Sequence, residues 1–127
     1  MLSDYYTVNS QRADGDTTVF EVSLNPASVV YGGHFPGMPV APGVCNIQMI
    51  KECVERLTGR RLRMSYLAQC KLTTLLTPQQ HPGLQVRIRL LENSDTMVRA
   101  QTLIGQGEAT YFTLKFDAKV QPQNRIE

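Results

Sequence analysis

Hydrophobic and polar positions recur along this chain with two periods, and each switch between them marks an element. Phe20, Val22 and Leu24 alternate with Glu21 and Ser23, the period of a half-buried strand. Asp14-Gly15-Asp16 is a turn signal between two strand-like runs, and Asn25-Pro26 ends the second. Ala27 to Tyr31 is a short connector. Gly43 then opens a helical pattern that runs to Thr58, with Gly59 as a natural stop. Val44, Ile47, Ile50, Val54 and Leu57 form one apolar arc of that helix, interrupted by Lys51. Gln48, Glu52 and Glu55 fall on the flank nearest Val44.

Beyond Gly59 the period returns to two. Leu62 to Thr74 is β-rich, and Pro78 to Gly83 is a loop. Leu84, Val86, Ile88 and Leu90 alternate with Gln85, Arg87 and Arg89. Asn93-Ser94-Asp95 marks a hairpin turn, Met97 to Ile104 a strand, and Gly105-Gln106-Gly107 the next turn. Phe112, Leu114, Phe116 and Ala118 then alternate with Thr113, Lys115, Asp117 and Lys119. Two strands, one long helix and about four antiparallel strands, each apolar on one face, predict an α+β fold with a sheet wrapped on a helix. That domain spans residues 1–120, and residues 121–127 form a polar C-terminal tail. No internal repeat or low-complexity segment interrupts it.

Composition narrows the function classes. At 127 residues, 42% hydrophobic and 19% charged, the chain fits one globular domain. A net charge of +2 is too weak to imply nucleic acid, and no aromatics interleave with the basic residues. Arg60, Arg61 and Arg63 form the nearest thing to a basic patch, either a solvated turn or a surface for an acidic protein partner. Cys45, Cys53 and Cys70 are odd in number and lack C-x-x-C spacing. Free thiols in a reducing compartment are therefore expected, without disulfides or a metal site. Cys45, near a helix start, is a candidate nucleophile or a buried thiol. The N-terminal residues have neither the basic nor the apolar region of a signal peptide. No segment approaches a membrane span. A cytoplasmic protein is expected, with no membrane association.

The most informative stretch is Gly33 to Val44, with three prolines and three glycines in twelve residues. Proline fixes φ and glycine permits turns that other residues cannot make, so this loop is tightly constrained. It presents His34, one of only two histidines, beside a helix N-terminus. That is a suitable place for acid–base chemistry on a polarised carbonyl. The plain alternative is a hydrogen-bonded structural histidine. His81, between Gln80 and Pro82, reads as an exposed turn residue without a role.

The run His34-Phe35-Pro36-Gly37-Met38-Pro39-Val40-Ala41-Pro42-Gly43 and the helix after it resemble the β-hydroxyacyl-acyl-carrier-protein dehydratases of the FabA/FabZ type, which have the hot-dog fold. The resemblance implies a lyase of fatty-acid or related acyl-chain biosynthesis. His34 would be the base that removes the α-proton of an acyl thioester. The Gly43 N–H would face the thioester carbonyl, and the Val40 carbonyl would fix the imidazole tautomer. Phe35 and Pro42 would complete the substrate site. It implies a substrate carried on acyl carrier protein or coenzyme A, no cofactor, and a dimer with each site built across the interface.

The departure is Gln48, which occupies the place of the family's catalytic carboxylate. A carboxamide donates a hydrogen bond but does not surrender a proton at neutral pH. The family's later glutamine is here Glu52, ~6 Å further along the helix, so amide and carboxylate are exchanged. Three readings follow. The chain is a working dehydratase in which Glu52, a water or His34 itself returns the proton. Alternatively it is an incomplete, acyl-thioester-binding subunit that pairs with a complete homologue, giving a heterodimer rather than a homodimer. Or it is a hot-dog thioesterase in which Gln48 orients a water, though hydrolysis does not obviously require the histidine loop.

Overall fold

The computed structural model describes residues 5–25, 43–74, 76 and 81–122. Strands β1 (Tyr6–Asp14) and β2 (Thr17–Leu24) form a hairpin. Helix α1 (Gly43–Thr58) follows, then strands β3 (Leu62–Leu72), β4 (Gly83–Asn93), β5 (Met97–Gln106) and β6 (Ala109–Val120). The six strands make one sheet in the order β1-β2-β4-β5-β6-β3, with every neighbouring pair antiparallel. The α+β expectation, one long helix against an antiparallel sheet, is met.

Alternation decides which face is buried. Phe20, Val22, Leu24, Leu84, Val86 and Ile88 point inward from β2 and β4, and Phe112, Leu114, Phe116 and Ala118 from β6. The polar positions between them carry ion pairs instead: Arg12–Glu21 at 2.6 Å, Arg89–Asp16 at 3.0 Å and Arg99–Asp117 at 2.9 Å. Exposed pairs of this kind each contribute roughly 0–1 kcal/mol. They define the polar face more than they stabilise it.

The helix is seated differently from the arc expected of it. Its buried residues are Cys45, Asn46, Met49, Ile50, Cys53 and Val54, while Ile47 and Leu57 are only partly buried. The core-facing stripe is thus turned by roughly 80° from the expected one, at about 100° per residue. The cause is that Met49 and the small Cys45 and Cys53 fill the sheet-facing positions as well as branched residues do. The helix end is fixed by local bonds. Gly59, in the left-handed conformation at φ 69°, donates its N–H to the Glu55 carbonyl at 2.8 Å. The Glu55 carboxylate accepts the Leu62 N–H at 2.7 Å, which ties the last turn to β3.

Strand β5 runs through Gln106, so the turn expected to begin at Gly105 begins two residues later, at Gly107. Gly105 sits in the strand at a register shift after Ile104. A Cβ there would lie 2.2 Å from the Ala109 carbonyl oxygen, so only glycine lets the two strands approach. Gly105→Ala is therefore expected to lower stability by about 1–3 kcal/mol, read as a fall in the thermal midpoint. Gly83→Ala, where nothing lies within 4 Å of the added carbon, should leave the midpoint near that of the wild type.

Candidate active site

His34, Phe35, Val40 and Pro42 lie outside the described residues. Gly43, the first residue of α1, lies within them. The first turn of a helix has backbone N–H groups without intrahelical partners, and the aligned peptide dipoles place positive potential there.

Gln48 and Glu52, one turn apart, lie outside the core-facing stripe and are both half-buried. Gln48 Nε2 donates to Glu52 Oε2 at 2.9 Å. The helical rise sets the two residues ~6 Å apart along the axis; their side chains close that gap. The second carboxylate oxygen, Oε1, accepts the Tyr6 hydroxyl at 2.8 Å. Tyr6 is the first residue of β1, so this chain of three side chains joins strand to helix. Burial, and then the bond donated to Glu52, raises the Tyr6 phenol well above the usual range and keeps it protonated. Tyr6 was not singled out from the sequence. Its partner lies 46 positions away, and no local pattern signals such a pairing.

Beside this chain a cleft of about 480 Å³ is lined by Tyr6, Glu52, Glu55, Arg56, Gly59 and Arg61 among others. Arg60 also lines this cleft and is half-buried; its guanidinium donates to the Ser94 carbonyl and to Asn93 Oδ1, so the expected basic patch is partly a structural tie. A second groove, of about 270 Å³, crosses the polar side of the sheet at Arg87, Arg89, Gln101, Thr113 and Lys115. Two of its cations are matched by acids of the β1–β2 hairpin, Arg87 by Asp14 and Arg89 by Asp16. It brings together none of the candidate catalytic residues. The candidates within the described residues, Gly43, Gln48 and Glu52, lie on the helix instead.

Cys45 does not behave as an activated nucleophile. It is buried, and burial pushes its thiol up, away from the thiolate that a helix start favours. His81 is half-buried rather than exposed, with its ring edge-on to Tyr111 at 4.9 Å. Among the described residues no group of three His, Cys, Asp or Glu could hold a metal, and no helix is long and apolar enough to cross a membrane.

Known proteins share this architecture. A family model described as ApeI-like, ApeI dehydratase, matches residues 10–109. The chain belongs to the ApeI-like dehydratase family. Among solved structures, the dehydratase heterocomplex ApeI:P from Xenorhabdus doucetiae is similar to this ApeI-like chain at a TM-score of 0.69 and 18% identity, over 89% of this chain and 96% of that one. A hypothetical thioesterase with coenzyme A from Streptococcus pneumoniae matches at a TM-score of 0.66 and 12% identity, over 98% and 94% of the two chains. A thioesterase from Haemophilus influenzae matches at a TM-score of 0.65 and 8% identity, over 94% and 81%. These likenesses establish the hot-dog fold. No curated protein matches the chain in sequence.

Burial of the core side of α1 and of Tyr6 has a pH signature. The Cys53 thiol, on the opposite side of α1 from Gln48, is pushed by burial from its ordinary 9.0 up to about 12. Its contribution to stability is complete below pH 9 and is lost as the pH rises toward 12, because the unfolded chain releases the proton first. Tyr6 adds to the loss above about pH 10. Denaturant unfolding from pH 8 to 11 should therefore show falling stability, with a shallower fall in Cys53→Ala and in Tyr6→Phe. Equal slopes in all three proteins would contradict the burial described.

Proposed function

We propose that this chain acts on 3-hydroxyacyl thioesters as a dehydratase of the FabA/FabZ type, with the reacting end of the substrate at the start of α1. The observation that carries this reading is the Gln48–Glu52 pair. An amide and a carboxylate, hydrogen-bonded at 2.9 Å, occupy the helix flank that follows directly on the histidine loop. In the reaction His34 takes the α-proton, the Gly43 N–H stabilises the enolate oxygen, and the Cβ–O bond breaks as the double bond forms.

The leaving hydroxide needs a proton that Gln48 cannot give. Both Glu52 oxygens already accept hydrogen bonds, from Gln48 and Tyr6. We therefore assign proton return to the imidazolium formed when His34 takes the α-proton. Glu52 is then a positioning residue, which fixes the Gln48 carboxamide. The second N–H of Nε2 is directed to the departing oxygen.

Pairing with a second subunit, a copy of this chain or a complete homologue, is supported by β3. This strand has a sheet partner in β6 alone among the described strands. Tyr66, Leu67 and Leu72 on it are 62%, 44% and 42% exposed. Long edge strands with exposed apolar residues call for cover. A strand of a second hot-dog subunit supplies it, whether that subunit is identical or different; the similar dehydratase ApeI:P is a heterocomplex. In either case the acyl group is delivered on acyl carrier protein or coenzyme A.

Hydration of a crotonyl thioester, followed by loss of enoyl absorbance, tests the proposal. His34→Ala should abolish turnover. Gln48→Glu should raise it, because general-acid help is typically worth 10²–10⁴ in rate. Glu52→Gln should lower it modestly by loosening Gln48. Activity that appears only with a co-expressed homologue would select the paired-subunit reading. Release of free thiol without hydration would select a thioesterase. Inert protein with and without the homologue would overturn the catalytic proposal.

A further inference from the structure

Charge is distributed unevenly along the chain, and the imbalance comes to the surface at β3. From Arg56 to Leu91 the sequence holds no acidic residue. Within β3 the charged residues are Arg63 and Lys71, both exposed. The register with β6 sets Arg63 beside Lys119 and Gln69 beside Lys115, on the side of the sheet away from the core. Arg63, Lys71, Lys115 and Lys119 thus line one side of the free edge. None of these four has an ion-pair partner among the described residues. Asp117, between them on β6, is held by Arg99 at 2.9 Å. Toward the β1 edge the same face is balanced: Arg12, Arg87 and Arg89 are matched by Glu21, Asp14 and Asp16.

The other side of the edge is apolar. Leu67, Cys70 and Leu72 stand opposite the buried Phe116, Leu114 and Phe112 of β6, yet are themselves exposed. That side draws a second strand; the cationic side decides which one. In a copy of this chain the facing side chains carry the same charge. β3 has no acidic residue, so no register of β3 against itself joins a cation to an acid. A two-fold pairing centred on Leu67 suits the apolar side, because Leu62 meets Leu72 and Met64 meets Cys70. It also sets Arg63 directly opposite Lys71, and the symmetry repeats that contact. Like charges directly opposite across two strands are destabilising.

We propose that the β3 edge takes a partner strand with acidic side chains opposite Arg63 and Lys71, and so selects a different subunit over a second copy of this chain. This inference rests on the edge pairing proposed above and names the chemistry of the partner. Apolar contact supplies attraction to either partner. The unpaired cations supply the difference in affinity between them, by repelling one and attracting the other.

A charge-swapped copy of the chain, combining Arg63→Glu with Lys71→Glu, serves as the acidic partner in the test. Both positions are exposed, where substitutions are usually tolerated. Analytical ultracentrifugation with one protein fluorescently labelled reads the affinity of the mixed pair and of each protein for itself, at low and high salt. At low salt the mixed pair should associate about 10-fold more tightly than either protein with itself. High salt should narrow that gap by screening the exposed charges. A neutral variant, Arg63→Gln with Lys71→Gln, should self-associate more tightly than the wild type and with less dependence on salt; it carries the test should the charge-swapped protein not fold. Equal affinities for all pairs, independent of salt, would overturn the charge selection and leave the edge pairing standing. Monomers in every mixture at every salt concentration would overturn both.

Discussion

Burial of one side of α1 against the sheet is the constraint on which the other features depend. Met49, Ile50, Cys53 and Val54 are removed from water by the inward residues of the strands. Burying a side chain of the valine-to-methionine class contributes about 1.5–3 kcal/mol, so the rotation of the helix about its axis is strongly specified. Once that rotation is set, Gln48, Lys51, Glu52 and Glu55 must emerge on the other side. The candidate chemistry is thus fixed by apolar packing that takes no part in it.

Glu52 then organises the emerging flank. Its two oxygens take one donor from the first strand and one from its own helix, so a single carboxylate joins the sheet edge to the helix. The same side chain restrains Gln48, whose long rotamers would otherwise cost order at the site. The 2.9 Å bond turns a flexible carboxamide into a held hydrogen-bond donor. Asn46, on the buried side of the same helix, is the complementary case. There, packing supplies rigidity, but one polar atom goes without a partner among the described residues.

Much of this was legible in the sequence, for reasons that differ by element. The strands with one buried face were plain, because Leu84 to Leu90 and Phe112 to Ala118 alternate without interruption and one face must be apolar. The helix bounds followed from Gly43 and Gly59. Its rotation did not, because an arc drawn through Val44, Ile47 and Val54 gives too little weight to Met49 and the cysteines. Those residues count as weakly hydrophobic on a wheel but pack as fully as branched residues. The Gln48–Glu52 pair could be read from its spacing of four. Tyr6 and Tyr5 could not, since their contacts to Glu52 and Asn46 join a strand start to a helix more than forty positions later. The closeness of β5 and β6 at Gly105 was likewise invisible, because a turn glycine and a strand glycine look alike in sequence.

The central claim, that the start of α1 and the flank bearing Gln48 form the substrate site, is tested most directly by nuclear magnetic resonance. The ¹⁵N-labelled protein would be titrated with a pantetheine analogue that carries a 3-hydroxybutyryl group and has a methylene in place of the thioester sulfur. The account predicts that the largest shifts occur at the Gly43 backbone amide and the Gln48 side-chain amide. Shifts confined to Gln101, Thr113 and Lys115, on the polar side of the sheet, would contradict it.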